Sequence, residues 1–221
     1  MKVVLILSGG LDSTTLLYQL KKGGYTVFCL SFDYGQRHRI ELDCARWTTR
    51  SLEINHIFLN LQSLQASGIF GKSALTTDIL VPIGYYKDES MKQTVVPNRN
   101  MIMLSIAIAY AISIGASTVF YGAHAGDHTI YPDCRPEFVE KMNTVAAICD
   151  YSPIEIRTPF LNMTKGDIVK LGISLNVDYT HTWTCYNGGV RGVLSCGNCG
   201  SCQERLEAFK QNGLKDPLDY A

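Results

Sequence analysis

The segment Val3-Val4-Leu5-Ile6-Leu7-Ser8-Gly9-Gly10-Leu11-Asp12-Ser13-Thr14-Thr15 runs from an apolar, β-branched stretch through paired glycines into residues with helical patterning. A short continuous apolar run bounded by a turn reads as a fully buried strand of a parallel sheet. The spacing therefore predicts a first strand at Val3–Leu7, a turn, and a first helix at Ser13–Lys22 that stops at Gly23-Gly24. The turn lacks the lysine of a G-x-x-x-x-G-K-[ST] loop and the spacing of G-x-G-x-x-G. What remains is a short anion-binding turn. Gly9 and Gly10 let a ligand approach the backbone, and Ser8, Ser13 and Thr14 add hydroxyls near a helix N-terminus. The plainer alternative is a tight connection with Asp12 or Ser13 as an N-cap, but that does not account for hydroxyls on both sides of the glycines.

Outward from this unit, strand and helix patterns alternate. Strands are expected at Tyr25–Phe32, Ile54–Leu61, Ser117–Gly122 and Ile154–Thr158, and helices at Arg37–Glu53, Asn98–Ile114 and Glu137–Cys149. Thr164-Lys165-Gly166-Asp167 has the spacing of a capping box and opens a further helix. The fold expected is α/β, a Rossmann-like doubly wound parallel sheet over residues 1–180, with residues 181–221 packed on it as a small cysteine-rich region of one compact unit. Ligands in such sheets bind outside the carboxyl ends of the strands, so the polar loop Ala123–Cys134 and the glycine turn should share one crevice. The stretch Gln62–Asn98 is too long for a simple connection and reads as a lid or partner surface.

The chain has 221 residues, 46% of them hydrophobic and 18% charged, the balance of an ordinary globular protein. Twenty Lys+Arg against twenty Asp+Glu leave no global positive field, and Arg37-His38-Arg39 is too short a basic patch to replace one; a nucleic-acid substrate is disfavoured. The first apolar run is too short for a signal peptide's core, and Met101–Ile114 is interrupted by Ser105, Tyr110 and Ser113 and falls short of the ~20 residues that span a bilayer. A cytoplasmic location and no membrane partner are the expectation.

Four of the eight cysteines are scattered, while Cys185, Cys196, Cys199 and Cys202 follow C-x10-C-x2-C-x2-C. Gly197 and Gly200 make the double C-x2-C step flexible, and Cys185 can fold back as a fourth ligand. Four thiolates fill a tetrahedral zinc shell and leave no place for a catalytic water, so one structural Zn²⁺ per chain is expected. A redox pair, an iron–sulfur cluster or unligated core cysteines are the alternatives. His181 is a conceivable substitute ligand, although a satisfied loop histidine is the simpler reading.

The turn Ser8-Gly9-Gly10-Leu11-Asp12-Ser13 after strand one resembles the PP-loop of the ATP pyrophosphatases, enzymes of the adenine nucleotide alpha hydrolase-like fold that adenylate a carboxylate or carbonyl and release pyrophosphate. Tyr34-Gly35-Gln36-Arg37-His38, Pro97-Asn98-Arg99-Asn100, Gly126-Asp127, Tyr131-Pro132-Asp133-Cys134-Arg135 and the four cysteines narrow the resemblance to a branch handling deazaguanine bases, and the likeness covers nearly the whole chain. Gly35 stands where that branch commonly has Asn. The resemblance implies that Mg-ATP activates 7-carboxy-7-deazaguanine, that ammonia displaces AMP to give an amide, and that a second ATP drives dehydration to the nitrile. It also implies a homodimer, with the middle segment and the cysteine region as candidate contacts.

The resemblance further implies that Leu7, Ser8, Gly9, Gly10, Leu11, Asp12, Ser13, Thr14, Thr15, Leu16 and Leu17 bind the nucleotide. Ser8, Asp12, Ser13, Arg99 and Lys165 are the candidate catalytic groups, with Asp12 as the carboxylate on the magnesium side. Arg99 is suited to fork onto the substrate carboxylate or an adenylate phosphate, and Arg37 to a phosphate oxygen. Asp127, Tyr131 and Asp133 suit the N–H edge of a guanine-like base, against the alternative that both aspartates merely form turns. His124 and His128 are weaker acid–base candidates without a visible partner. Two other readings stay open: a ligase of the same fold that passes the activated carboxylate to another amine, and a non-catalytic, zinc-stabilised nucleotide sensor.

Overall fold

The computed structural model describes residues 1–86, 89–189 and 194–221. Five parallel strands, β1 (Lys2–Ile6), β2 (Thr26–Asp33), β3 (Asn55–Asn60), β4 (Thr118–Phe120) and β5 (Glu155–Arg157), form a sheet in the order β3-β2-β1-β4-β5. The register runs Val4 opposite Phe28 on one side and Val119 on the other. Because β1 has β2 on one flank and β4 on the other, the chain reverses its direction of winding there. A crevice opens at the carboxyl ends of β1 and β4, as this topology requires.

Alternate residues of β1 and β2 serve two cores. Val4, Leu30 and Phe32 pack with the helix α4 (Arg99–Ile114) and α5 (Pro136–Ala146) on one face. Val3, Leu5, Val27 and Cys29 pack on the other with α1 (Leu11–Lys22), α2 (Ile40–Ser51), α6 (Lys165–Ser174) and α7 (Gly200–Gln211). A short helix α3 (Gln62–Ala66) follows β3. Burial on both faces is why the sequences of these strands read as unbroken apolar runs.

Two helix starts differ from the sequence reading. Helix α1 starts at Leu11 because Gly10 takes the extended N-cap position, so Asp12 and Ser13 sit inside the first turn and neither is the cap. Helix α2 starts at Ile40, and Arg37 ahead of it donates its N–H to the Leu75 carbonyl at 2.8 Å. Gly115, at φ +65°, ends α4 where expected, and Thr164 and Asp167 make both bonds of the capping box that starts α6.

The middle segment is not a free lid. Phe70, Leu75, Met91 and Val96 are buried in the α4-side core, and a 3₁₀ turn spans Glu89–Thr94. Its exposed apolar residues are Ile69 after α3 and a group that includes Leu80 and Ile83. Helix α7 lies beyond the range of the helices expected from sequence; its Ala208 and Phe209 complete the second core. Arg205 of α7, buried to 1% exposure, bonds both oxygens of Asp216, the hydroxyls of Thr182 and Thr184, and the Tyr179 carbonyl. That set of bonds ties Tyr179, Thr182 and Thr184 to α7. No helix among the described residues is long and apolar enough to cross a membrane.

Candidate active site

One large cleft, about 1080 Å³ counting its open mouth, lies at the β1/β4 switch point. Its floor is the glycine turn. Ser8 and Ser13 hydroxyls lie 3.0 Å apart, the Gly10 N–H donates to Ser8 Oγ at 3.1 Å, and the Ser8 N–H donates to Ser13 Oγ at 3.2 Å. The start of α1 thus presents hydroxyls and backbone N–H groups together, an arrangement suited to phosphate oxygens.

Gly9 has a different task from the one expected. At φ +91° a Cβ would lie 1.8 Å from the Glu41 carbonyl oxygen, so Gly9 lets the turn press onto α2. Its own carbonyl accepts the Trp183 N–H at 3.1 Å. Thr14, Leu16 and Leu17 are fully buried behind the turn, and the Thr15 hydroxyl is taken by the Leu11 carbonyl and Tyr179 at 2.8 Å each. Leu7, Ser8, Gly10, Leu11, Asp12 and Ser13 line the cleft; Gly9 and the residues from Thr14 to Leu17 support it from behind.

On one wall, Lys165 Nζ reaches Asp12 Oδ2 at 2.7 Å and Glu204 Oε2 at 3.3 Å. Burial opposes the ammonium charge, but Asp12, Glu204 and Asp127 outweigh it and hold the lysine pKa above its usual value. Burial likewise raises the Asp12 carboxyl, and Lys165 and His124 more than reverse this. Asp12 Oδ1 is buried with no hydrogen-bond partner among the described residues, an oxygen left open for a cation or a ligand donor. His124 is buried beside them, with Nδ1 accepting the Gly126 N–H and Nε2 3.5 Å from Asp127 Oδ1. Asp127 also accepts the Tyr86 hydroxyl at 2.9 Å, so it faces the cleft while closing its own turn. His128 lies outside this lining.

The opposite wall is built on Arg99 at the start of α4. Its guanidinium donates to the Tyr34 hydroxyl at 2.9 Å and lies 5.5 Å from that ring. Burial works against the charge, and Tyr34, Asp133, Cys134 and Tyr186 keep it. Gly35, at φ +83°, takes a left-handed turn that asparagine also tolerates, so the departure from the usual Asn leaves the local backbone unchanged in kind.

Three expected substrate contacts are employed elsewhere. Arg37 donates to the carbonyls of Thr77 and Ile79 and ties down the middle segment, outside the cleft. Asp133 Oδ2 accepts the Asn100 N–H at 2.9 Å, capping the first turn of α4 and thereby placing Arg99. Tyr131 bonds the Thr94 and Tyr186 hydroxyls behind the lining. The cleft instead gains Glu204, Glu41, His38, Tyr86 and Tyr186, none of which the sequence reading assigned a role.

The four cysteine sulfurs of Cys185, Cys196, Cys199 and Cys202 all lie within 4.8 Å of one another, and those of Cys196 and Cys202 are 3.9 Å apart. Tetrahedral thiolate ligation of zinc at about 2.3 Å would set sulfurs roughly 3.8 Å apart, so the cluster fits a metal. Cys199 is the N-cap of α7 and Cys202 lies in its first turn. Gly200 is therefore no flexible joint: a Cβ there would meet Met91 Sδ at 2.8 Å. His181 stacks on Trp47 and bonds Asp178, and takes no part in the cluster.

A parallel sheet in this order, with a hydroxyl-lined glycine turn after β1 feeding a cleft at the switch point, defines a Rossmann-like α/β protein with an anion-binding turn at its ligand crevice. The chain belongs to the family described as queuosine biosynthesis protein QueC, whose model matches residues 2–213. It is 55% identical to 7-cyano-7-deazaguanine synthase 1 of Colwellia psychrerythraea (strain 34H) over 99% of this chain and 98% of that protein. It is 54% identical to the 7-cyano-7-deazaguanine synthase of Methanoregula boonei over 100% and 99%. Among solved structures it resembles a 4-thiouridine synthetase in complex with RNA and bound ATP, at 20% identity and TM-score 0.53, spanning 80% of this chain and 41% of that one. It also resembles an NMN synthetase from Francisella tularensis at 14% identity and TM-score 0.53, over 96% and 77%. At those identities the likeness is one of fold.

Proposed function

We propose that this chain is an ATP-dependent carbon–nitrogen ligase that converts 7-carboxy-7-deazaguanine and ammonia to the nitrile 7-cyano-7-deazaguanine, preQ0, through an amide. The observation that carries this reading is the meeting of the glycine turn, the Asp12–Lys165 pair and Arg99 in one cleft of a chain from this family. Each of the two activations consumes one ATP and releases pyrophosphate and AMP.

Ser8, Ser13 and the N–H groups at the start of α1 hold the β- and γ-phosphates, where charge grows as the bond to the α-phosphate breaks. Lys165 adds a fixed positive charge beside them. Mg²⁺ bound with ATP supplies further charge neutralisation, and Asp12, with its open Oδ1, is the carboxylate suited to it. Arg99 forks onto the substrate carboxylate, and Asp127 with Tyr86 faces the N–H edge of the base. No residue needs to form a covalent bond, so positioning and charge stabilisation carry the rate.

Zinc at the four cysteines is structural in this reading. The protein works in the cytoplasm as a homodimer on small molecules, without nucleic acid. The test is mass spectrometry of the base after incubation with Mg-ATP, ammonium and 7-carboxy-7-deazaguanine, with AMP followed in parallel. Nitrile with one AMP for each activation is the expected result. AMP without nitrile would favour transfer to a different amine, and no AMP would end the enzymatic reading.

A further inference from the structure

We propose that Glu41 is the general base that removes the last N–H proton as the activated amide collapses to the nitrile, an inference that rests on the reaction proposed above. Glu41 lies in the first turn of α2, the turn whose backbone is pressed onto Gly9, and it lines the cleft within reach of the Arg99 charge. Its Oε1 accepts the Gln36 side-chain N–H at 3.0 Å and stands 3.5 Å from His38 Nε2. His38 is 5% exposed, and its Nδ1 is buried with no partner among the described residues.

A carboxylate in this position has no structural salt bridge to a lysine or arginine among the described residues. The groups facing it are His38 and Gln36 from the turn before α2, Tyr34 from the end of β2, Arg99 from α4 and Cys44 from its own helix. Burial raises the Glu41 carboxyl to about 7, against the Gln36 hydrogen bond and the Arg99 charge. Such a base is substantially ionised at neutral pH and far stronger than an ordinary glutamate. Burial and then Arg99 lower His38 to about 3, so the imidazole stays neutral and does not compete for the proton. His38 acts as a positioning residue for the carboxylate.

In the step assigned to Glu41, the substrate is the amide whose oxygen already carries the adenylyl group and whose nitrogen retains one hydrogen. The N–H bond breaks and its proton moves to the Glu41 carboxylate. The electron pair left behind becomes the third carbon–nitrogen bond, and the carbon–oxygen bond breaks with its pair leaving on AMP. Glu41 returns the proton to water when product departs. No oxidant or reductant is involved.

The test supplies the intermediate amide, 7-amido-7-deazaguanine, with Mg-ATP and follows nitrile and AMP against pH. Wild-type nitrile formation should rise as pH passes through about 7 and then level, because the carboxylate is the active form. Glu41→Gln should lower nitrile formation roughly 10²-fold or more and flatten that rise, while Glu41→Asp should keep the rise at a reduced rate. Nitrile formed by Glu41→Gln within a few-fold of wild type, or a wild-type rate flat between about pH 6 and 8, would overturn the assignment of Glu41 alone. Absence of nitrile from wild type with either the carboxylate or the amide would overturn the reaction itself and this inference with it. A melting curve for each variant separates a lost base from a lost fold.

Discussion

Lys165 Nζ sits 2.7 Å from Asp12 Oδ2, so the first residue of α6 and the first turn of α1 are joined by a part-buried charge pair at the edge of the glycine turn. Removing one member leaves the other uncompensated in a partly desolvated site. Lys165→Met should cut AMP formation by roughly 10²-fold or more, with a smaller effect on nucleotide binding. Steady-state AMP release set beside an ATP titration checks this; equal losses in both would instead make Lys165 a simple binding residue.

Arg99→Lys retains the charge but loses the fork. If the guanidinium grips the substrate carboxylate, KM for 7-carboxy-7-deazaguanine should rise about tenfold while KM for the amide rises much less. Comparable changes for both substrates would move Arg99 from carboxylate recognition to general shaping of the wall.

Gly9→Ala places a methyl group against the Glu41 carbonyl at a positive φ. Turn and helix must separate, and unfolding free energy should fall by roughly 2 kcal/mol or more in urea titration. Because α2 carries Glu41, nitrile formation should suffer beyond the loss of folded protein.

Metal analysis of protein purified without added metal should find one zinc for the four-cysteine cluster. Cys199→Ser removes a thiolate ligand while leaving a residue suited to the N-cap of α7, and should lower the melting temperature by several degrees with loss of zinc. Full metal occupancy in that variant would sink the proposed ligand set.

The sheet was legible because β1 and β2 are buried on both faces and alternate with strongly patterned helices. The glycine turn was legible because its residue types follow from anion chemistry. Arg37 and Asp133 misled for a common reason: charged residues near a motif are equally suited to backbone capping, and only the folded chain shows that Asp133 is spent on the Asn100 N–H and Arg37 on two carbonyls. Glu204 was invisible for lack of local context. It faces Lys165 only because α7 packs on α6, a contact between elements far apart in sequence. The helix-forming run Gln203-Glu204-Arg205-Leu206-Glu207 after the last cysteine is a signal that could have pointed to α7, but it is short and was not read as a helix. Glu41 was missed because an acidic residue in a helix's first turn is ordinarily a surface complement to the dipole.

The placement of Glu204 on α7 also bears on biosynthesis. The glycine turn is among the first segments translated, whereas the acid opposite Lys165 and three of the four thiols are translated after Tyr186, near the end of the cleft's lining in chain order. A nascent chain therefore carries the glycine turn long before it carries every side chain of the cleft. Until residue 204 has been added, Lys165 has the Asp12 carboxylate beside it and lacks the second one that α7 brings.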